Sequence, residues 1–440
     1  MTPRNLRFRG GPGDASLAEA ARQVLRQNDA GRWTVPSAHQ YPHQWNWDSA
    51  FISLGWATFA WERATLEIES MLEARWREGM VPSVRYDPRH LLDYFPGPDR
   101  WPAARAHVAQ PGELTTGISN PPVLALAALR VGRRQPAAAP RHAFWRRVYP
   151  SLLGYVRYLG TSRRLPGSPL VAMVHPWESG WDNSPRWDHL RSAALQPTQP
   201  YVRLDTLHVA ASDRPSDRDY DRYLALIELL DGCDYDLAAY RAVSPFCVYD
   251  VLLDGIWYGA ARALNQMAEE LGEAPAVSAG ELDEFAAAFE ELHWDPGLEL
   301  YVDWDCMAGS RIARATAAGL AALAGGVGRE ERARRSWARY QELTRGVRAV
   351  CTVPPHDPEF DRRRYWRGPV WVNVNWLVAE GLELAGLAAA AADLRRETLD
   401  LVRFGGFPEY FDPEDGSPCG SQGFSWSAAL TLDLLERKGH

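Results

Sequence analysis

The sequence predicts an all-α fold, an (α/α)6 barrel with long active-site loops. Segments between Gly and Pro breaks carry helical periodicity about twelve times along the 440 residues. Strand-like runs are few and short: "LVAMVHP", "ELYVDWD" and "RAVCTV". The helical segments are of two kinds, apolar nearly all round or amphipathic, as the inner and outer members of six closed hairpins require.

In chain order the helices begin with "SLAEAARQVLRQNDA", then a long run from Ser49 to about Arg77. "PPVLALAALRVG" opens on prolines suited to a first helical turn and looks inner. "RHAFWRRVYPSLLGYVRYLG" and "DYDRYLALIELLDG" follow, then "YDVLLDGIWYGAARALNQMAEELG" and "SAGELDEFAAAFEELHW". "MAGSRIARATAAGLAALAGG" is read as helical throughout, and "REERARRSWARYQELT" as an outer helix. "VWVNVNWLVAEGLELAGLAAA" looks inner; "DLRRETLDLVRFGG" and "FSWSAALTLDLLERKG" end the series. A helical solenoid is disfavoured because no short repeat recurs. Two domains are disfavoured because "GRRQPAAAP", the best linker candidate, is short enough for an interhelical loop. The expectation is one catalytic domain over residues 1–440, with loop insertions at about 79–119 and 171–218. Loops of that length frequently line or cover a site.

Composition narrows the function. A formal net charge of −8 argues against nucleic acid as a partner. No apolar run of about 18 residues marks a membrane span, and "MTPRNLRFRG" lacks the apolar stretch of a signal segment. Five scattered cysteines without C-x-x-C spacing suggest neither a disulfide framework nor a zinc site, and a reducing cytoplasm fits them. The 19 Trp, with 17 Tyr and 13 Phe, exceed what one core needs. They read either as packing between helices or as stacking platforms for a sugar, and the many Trp beside Asp, Glu, Asn or Gly favour the sugar.

The richest segment is "MVHPWESGWDNSPRWD", where Glu178, Asp182 and Asp188 lie among Trp177, Trp181 and Trp187. A carboxyl group enclosed by indoles loses hydration and gains proton affinity, as a general acid at neutral pH requires. The same segment also reads as a structural loop with capping carboxylates. A second cluster, "GGFPEYFDPEDGSPCGSQGFSWSAAL", carries Glu409 ahead of a Gly-rich turn; its "DPEDG" lacks EF-hand spacing and is read as a turn. Asp48, after Trp47 at the start of an apolar helix, suits either a helix cap or a grip on sugar hydroxyls. Two carboxylates flanking a sugar carry glycoside hydrolysis. The sequence has no G-x-S-x-G, H-E-x-x-H or Walker A motif for another scheme.

With those residues in view, "HQWNWDSAF" at 43–51, "HPWESGWDNSPRWD" at 175–188 and "EYFDPEDG…CGSQGFSWSAA" at 409–429 resemble glycoside hydrolase family 63, and within it the bacterial mannosylglycerate and glucosylglycerate hydrolases. The resemblance runs over nearly the whole chain. It implies an (α/α)6-barrel α-glycosidase acting with inversion and without a cofactor or metal. By motif, Asp182 is the general acid and Glu409 the general base. Asp48, Trp45 and Trp47 match the sugar-binding wall, which Trp177 and Trp181 complete, and Gln422 is within reach of substrate. Tyr41 and Trp371 join the substrate-binding set.

A glycerate aglycone carries a carboxylate, which an Arg with two parallel donors suits. "ASDRPSDRDYDRY" at 211–223 offers Arg214 or its rival Arg218, with Tyr220 six positions after Arg214, matching the spacing in the family's mobile loop. The same stretch also reads as a solvated loop entering a helix. "RRRYWRGPVW" adds Tyr365, with Arg364 or Arg367 as further charge, and "RYDPRHLLDYF" adds Tyr86. The partner expected is therefore a small-molecule glycoside, with a homo-oligomer expected on base rates. Alternatives are a family α-glucosidase acting on a neutral α-glucoside, a sugar epimerase using histidines such as His43 and His175, and a non-catalytic sugar-binding protein.

Overall fold

The structure, a computed structural model, describes residues 13–106 and 108–437. The start read above for a signal segment lies outside the described residues. Fourteen α-helices occur among those described. They are α1 (Asp14–Gln27), α2 (Asn46–Trp56), α3 (Trp61–Glu73), α4 (Val123–Arg134), α5 (Ala138–Ser162), α6 (Asp217–Gly232) and α7 (Leu237–Val243). Then come α8 (Val251–Leu271), α9 (Ala279–Leu292), α10 (Ala318–Ala322), α11 (Glu330–Leu343), α12 (Val372–Leu384), α13 (Ala388–Gly405) and α14 (Ser425–Arg437).

Contacts among them close a ring: α2 on α4, α4 on α8, α8 on α10, α10 on α12, α12 on α14, and α14 back on α2. An outer layer of α1, α3, α5, α9, α11 and α13 packs against that ring. This is the (α/α)6 barrel, with α6 and α7 inserted between α5 and α8.

Sequence pattern explains the layering. Every residue of α2 is buried, as is α12 from Val372 to Leu382, whereas α11 buries only Ala333, Ser336 and Tyr340. Inner helices approach closely where side chains are small: a Cβ on Gly55 would lie 2.4 Å from Ala429 Cα, so α2 and α14 meet at van der Waals distance only because Gly stands there.

The long run from Ser49 is two helices, because the chain turns at residues 57–60 to pass from the inner to the outer layer. The "MAGSRIARATAAGL" stretch is helical only from Ala318. Asp305 accepts the Met307 and Ala308 amides and turns the chain, so Ser310–Ile312 returns as a strand against Asp303–Asp305. "RAVCTV" forms no strand, only a bridge from Cys351 to Val370. Helix α7 is an addition to the expected series.

Short strands organise the loops that position the site. Gln44–Trp45 pairs with Val84–Arg85. Ala172–Met173 enters a four-stranded sheet with Val248–Tyr249, Asp303–Asp305 and Ser310–Ile312. Pro408–Phe411 pairs with Pro418–Gln422 through a register irregularity. Residues 171–218 otherwise hold three 3-10 turns, Pro176–Ser179, Pro185–Ser192 and Ala211–Asp213, before α6 begins. Among the described residues no helix is long and apolar enough to cross a membrane.

Candidate active site

A cavity of about 760 Å³ opens among these loops, near the N-terminal ends of α2 and α14. Three carboxylates reach it: Asp48, Asp182 and Glu409.

Asp182 sits on an anchored loop. Glu178, in the turn that follows the strand Ala172–Met173, accepts both Arg163 nitrogens at 2.6 and 2.9 Å and the Ser119 and Val174 amides. Its carboxylate is thus consumed in holding the loop. Gly180 then turns at φ +72°, and a Cβ there would meet the Trp47 ring at 2.5 Å. Beyond Asp182, Arg186 donates to Asp250 and Asp303, all three buried. Asp188 takes both terminal nitrogens of Arg367, which fixes that arginine away from the cavity. Arg364 points to the Ser212 carbonyl and is likewise absent from the lining. Burial pushes the Asp182 carboxyl up to about 7, against the lowering influence of Arg214.

Glu409 comes from the strand Pro408–Phe411. Its Oε2 accepts the Ser421 amide at 3.0 Å and its Oε1 accepts the Tyr41 hydroxyl at 2.8 Å. Burial raises its proton affinity, while Arg214, the Ser421 amide and Tyr41 lower it. The third carboxylate, Asp48, lies in the first turn of α2, whose N-cap is Trp45 rather than Asp48. Burial raises its pKa as well.

Aromatic rings form the wall. Trp45, Trp47 and Trp177 line the cavity as expected from sequence. Trp181 and Trp371 do not; they are fully buried behind Trp366, which stacks on Trp371 at 3.7 Å and on Trp181 at 5.2 Å between ring centroids. Of the three, Trp366 lines the cavity; sequence reasoning missed it although it stands beside Tyr365 in the quoted "RRRYWRGPVW". Trp426, Trp101, Tyr94 and Phe424 were also missed and also line it. The indole N–H groups of Trp45, Trp366 and Trp426 are buried without a protein hydrogen-bond partner, so they are donors available to a hydroxylated ligand.

Of the two arginine rivals, Arg214 is buried in the lining and Arg218 is exposed on the first turn of α6. The difference is local. Ser216 caps α6 through a capping box, which sets Arg218 on the exposed first turn of the helix, while Arg214, before the cap, has an extended backbone and lines the cavity. Arg214 donates through Nε to Asp205 at 3.1 Å and through Nη1 to the Tyr41 hydroxyl at 2.8 Å. Arg203 holds Asp205 from the other side through two bonds of 2.9 and 2.7 Å and lies over the Tyr220 ring. Neither Arg203 nor Asp205 carried a sequence signal. Tyr220 and Tyr365 line the cavity; Tyr365 has φ +45°, rare for a side chain of its size, and its ring lies 4.1 Å beneath the Arg214 guanidinium. Tyr86 lines the cavity too, but its hydroxyl is spent on the Pro96 carbonyl. Gln422, at the end of the hairpin strand beyond a register irregularity, is exposed and outside the lining.

His43 and His175 do not line the cavity. Burial lowers both to a pKa of about 4. Each accepts a backbone amide through Nδ1, His43 from Asp87 and His175 from Trp177. They are packed, neutral histidines.

Comparison with known proteins follows this geometry. Residues 41–427 match the model of the mannosylglycerate hydrolase MGH1-like glycoside hydrolase domain. A mannosylglycerate hydrolase from Thermus thermophilus is 41% identical over 418 residues, 93% of this chain and 98% of the relative. A glucosylglycerate hydrolase from Mycolicibacterium hassiacum is 35% identical over 439 residues, 95% of this chain and 97% of the relative. The crystal structure of a GH63 mannosylglycerate hydrolase from a Thermus thermophilus strain, in complex with Tris and D-glycerate, superposes with a TM-score of 0.88 at 40% identity, covering 94% of this chain and 99% of that one.

Proposed function

We infer, from a chain that belongs to the mannosylglycerate hydrolase MGH1-like glycoside hydrolase family, that this cavity hydrolyses 2-O-α-mannosyl-D-glycerate, 2-O-α-glucosyl-D-glycerate or both, to free hexose and D-glycerate. The chain is a glycoside hydrolase of the inverting kind. The observation that carries the aglycone reading is Arg214, a buried cation in the wall of a cavity otherwise lined by aromatic, acidic and uncharged residues.

Asp182 is the general acid in this reading. With its pKa near 7 it still holds a proton at neutral pH and passes it to the glycosidic oxygen as the C1–O bond breaks. Glu409 takes a proton from water, and that water's oxygen bonds to C1 on the face opposite the departing glycerate. Burial raises the Glu409 pKa, and two donors and the nearby Arg214 oppose that rise, favouring the ionised form this task needs. Asp48 and the free indole N–H groups of Trp45, Trp366 and Trp426 bind sugar hydroxyls, and the stack on Trp371 and Trp181 holds Trp366 in place. Arg214, with Tyr220 and Tyr365, takes the glycerate carboxylate.

We read the chain as one catalytic domain with its two loop insertions, acting in the cytoplasm, where five free thiols are stable. A homo-oligomer that does not engage nucleic acid completes the reading.

The test is sugar release from a panel of α-glycosides with charged and neutral aglycones, with NMR of the first-formed sugar. Release of the β-anomer from the glycerate compounds supports the reading. Release of the α-anomer, or preference for a neutral aglycone, contradicts it.

A further inference from the structure

Arg214 is engaged by more than the aglycone side. Its Nη1 stands 3.7 Å from Glu409 Oε1 and donates to the Tyr41 hydroxyl, which itself donates to that same Glu409 oxygen. The cation assigned to the substrate carboxylate therefore already touches the general base, directly and through one phenol. All these groups are buried, where charge is weakly screened.

We propose that the aglycone carboxylate tunes the catalytic pair: by placing a negative charge on Arg214, it relieves that cation's hold on Glu409 and Asp182, making the base stronger and the acid more firmly protonated. Tyr41 is the positioning residue that carries part of this effect to Glu409, beside the direct 3.7 Å approach of Arg214. The proposal rests on the glycerate reading above. It predicts that a charged aglycone is rewarded in the chemical step as well as in binding.

The charges around the pair support this. Glu409 faces Arg214 and Asp205 from the aglycone loop, Asp48 from α2, the Ser421 amide, and the phenols of Tyr41, Tyr365 and Tyr410. Asp182 faces Arg214, Asp205, Glu409 and Asp48, with the phenols of Tyr94, Tyr220, Tyr223 and Tyr365. Arg214 is the cation common to both, and it lowers both carboxyls. The neighbouring arginines are committed elsewhere: Arg203 to Asp205, and Arg367 to Asp188 and Glu359. A glycosylglycerol, with CH2OH in place of the carboxylate, fills nearly the same volume and leaves Arg214 opposed only by Asp205 and the catalytic carboxyls.

The experiment compares single-turnover rate against pH for a glycosylglycerate and the matching glycosylglycerol, at saturating enzyme. In the wild type both limbs of the glycerate profile should lie higher, by on the order of one pH unit, the shift that one charge about 10 Å away produces at an effective dielectric near 20. In Tyr41→Phe the difference should shrink on the acid limb, which reports Glu409, and persist on the alkaline limb, which reports Asp182. Superimposable wild-type profiles, with the glycerate compound still a good substrate, overturn the proposal and leave the functional reading standing. Undiminished differences on both limbs in Tyr41→Phe overturn the relay. Turnover of the neutral compound without turnover of the glycerate compound removes the functional reading, and this proposal with it.

Discussion

The two walls of the cavity are built by opposite means. The wall we assign to the sugar uses neutral rings fixed by regular structure: Trp45 and Trp47 at the start of α2, Trp426 at the start of α14, and Trp366 stacked on Trp371 and Trp181. The wall we assign to the aglycone uses charges fixed by one another: Arg203, Asp205 and Arg214 on an irregular loop whose regular structure is the short turn Ala211–Asp213. Rings packed against rings are held by shape and exclude water, which raises the proton affinity of Asp182. Ion pairs hold a loop only while every partner is present, and in return they offer a charge to a ligand. Damage to the first wall should therefore injure every substrate alike, and damage to the second should be read out by the charge of the aglycone.

Mutations can break or sharpen that contrast. The largest effect belongs to neither wall: Asp182→Asn should cost about 10²–10⁴ in kcat on natural substrates, the scale of general acid catalysis, and less on a glycosyl fluoride whose leaving group needs no proton. Full activity of Asp182→Asn on the natural substrate would remove its assignment. Arg214→Gln should lower kcat/KM for the glycerate substrate by about 10²–10³, the scale of truncating one partner of a buried charged pair, with less than about tenfold loss on glycosylglycerol. Trp366→Ala should lower kcat/KM about tenfold on both compounds and destabilise the fold by about 3–5 kcal/mol in urea melts; a loss confined to one compound would blur the two walls. In wild type with the neutral glycosylglycerol the rate should fall on the alkaline side, from about pH 7 upward, because Asp182 must keep its proton to act and loses it as pH passes its raised pKa of about 7. A rate still rising at pH 9 would contradict Asp182 as the acid. The smallest effects are expected from Arg218→Ala and Gln422→Ala, within about twofold of wild type in kcat/KM, as for surface changes away from a site.

The same contrast decides what the sequence disclosed. The barrel was legible because inner and outer helices bury different fractions of their surface, and that leaves a pattern in α12 and α11 alike. Asp182, Glu409 and Asp48 were legible because each stands in a Trp- or Gly-rich motif. Depth was not. Trp181 and Trp371 sit in motifs as rich as that of Trp366, and only tertiary stacking decides which of the three faces the cavity. Arg214 and Arg218 have nearly identical neighbours in "DRPSDRD"; the capping box at Ser216, three residues from Asp219, was the local clue that separates loop from helix. Asp205 and Arg203 lie in "VRLDTL", which carries no mark of function until the chain folds them against Arg214. The strand at Ser310–Ile312 was lost because Ala-rich sequence around it reads as helix, while the turn set by Asp305 overrides that preference.

The central claim is that Arg214 reads the charge of the aglycone while the aromatic wall reads the sugar. The most direct measurement is the ratio of kcat/KM for glycosylglycerate to that for glycosylglycerol, in the wild type, Arg214→Gln and Trp366→Ala. The ratio should collapse by about a hundredfold in Arg214→Gln, in keeping with the loss of one buried charged partner, and stay at its wild-type value in Trp366→Ala. An unchanged ratio in Arg214→Gln, with both substrates losing equally, would contradict the claim.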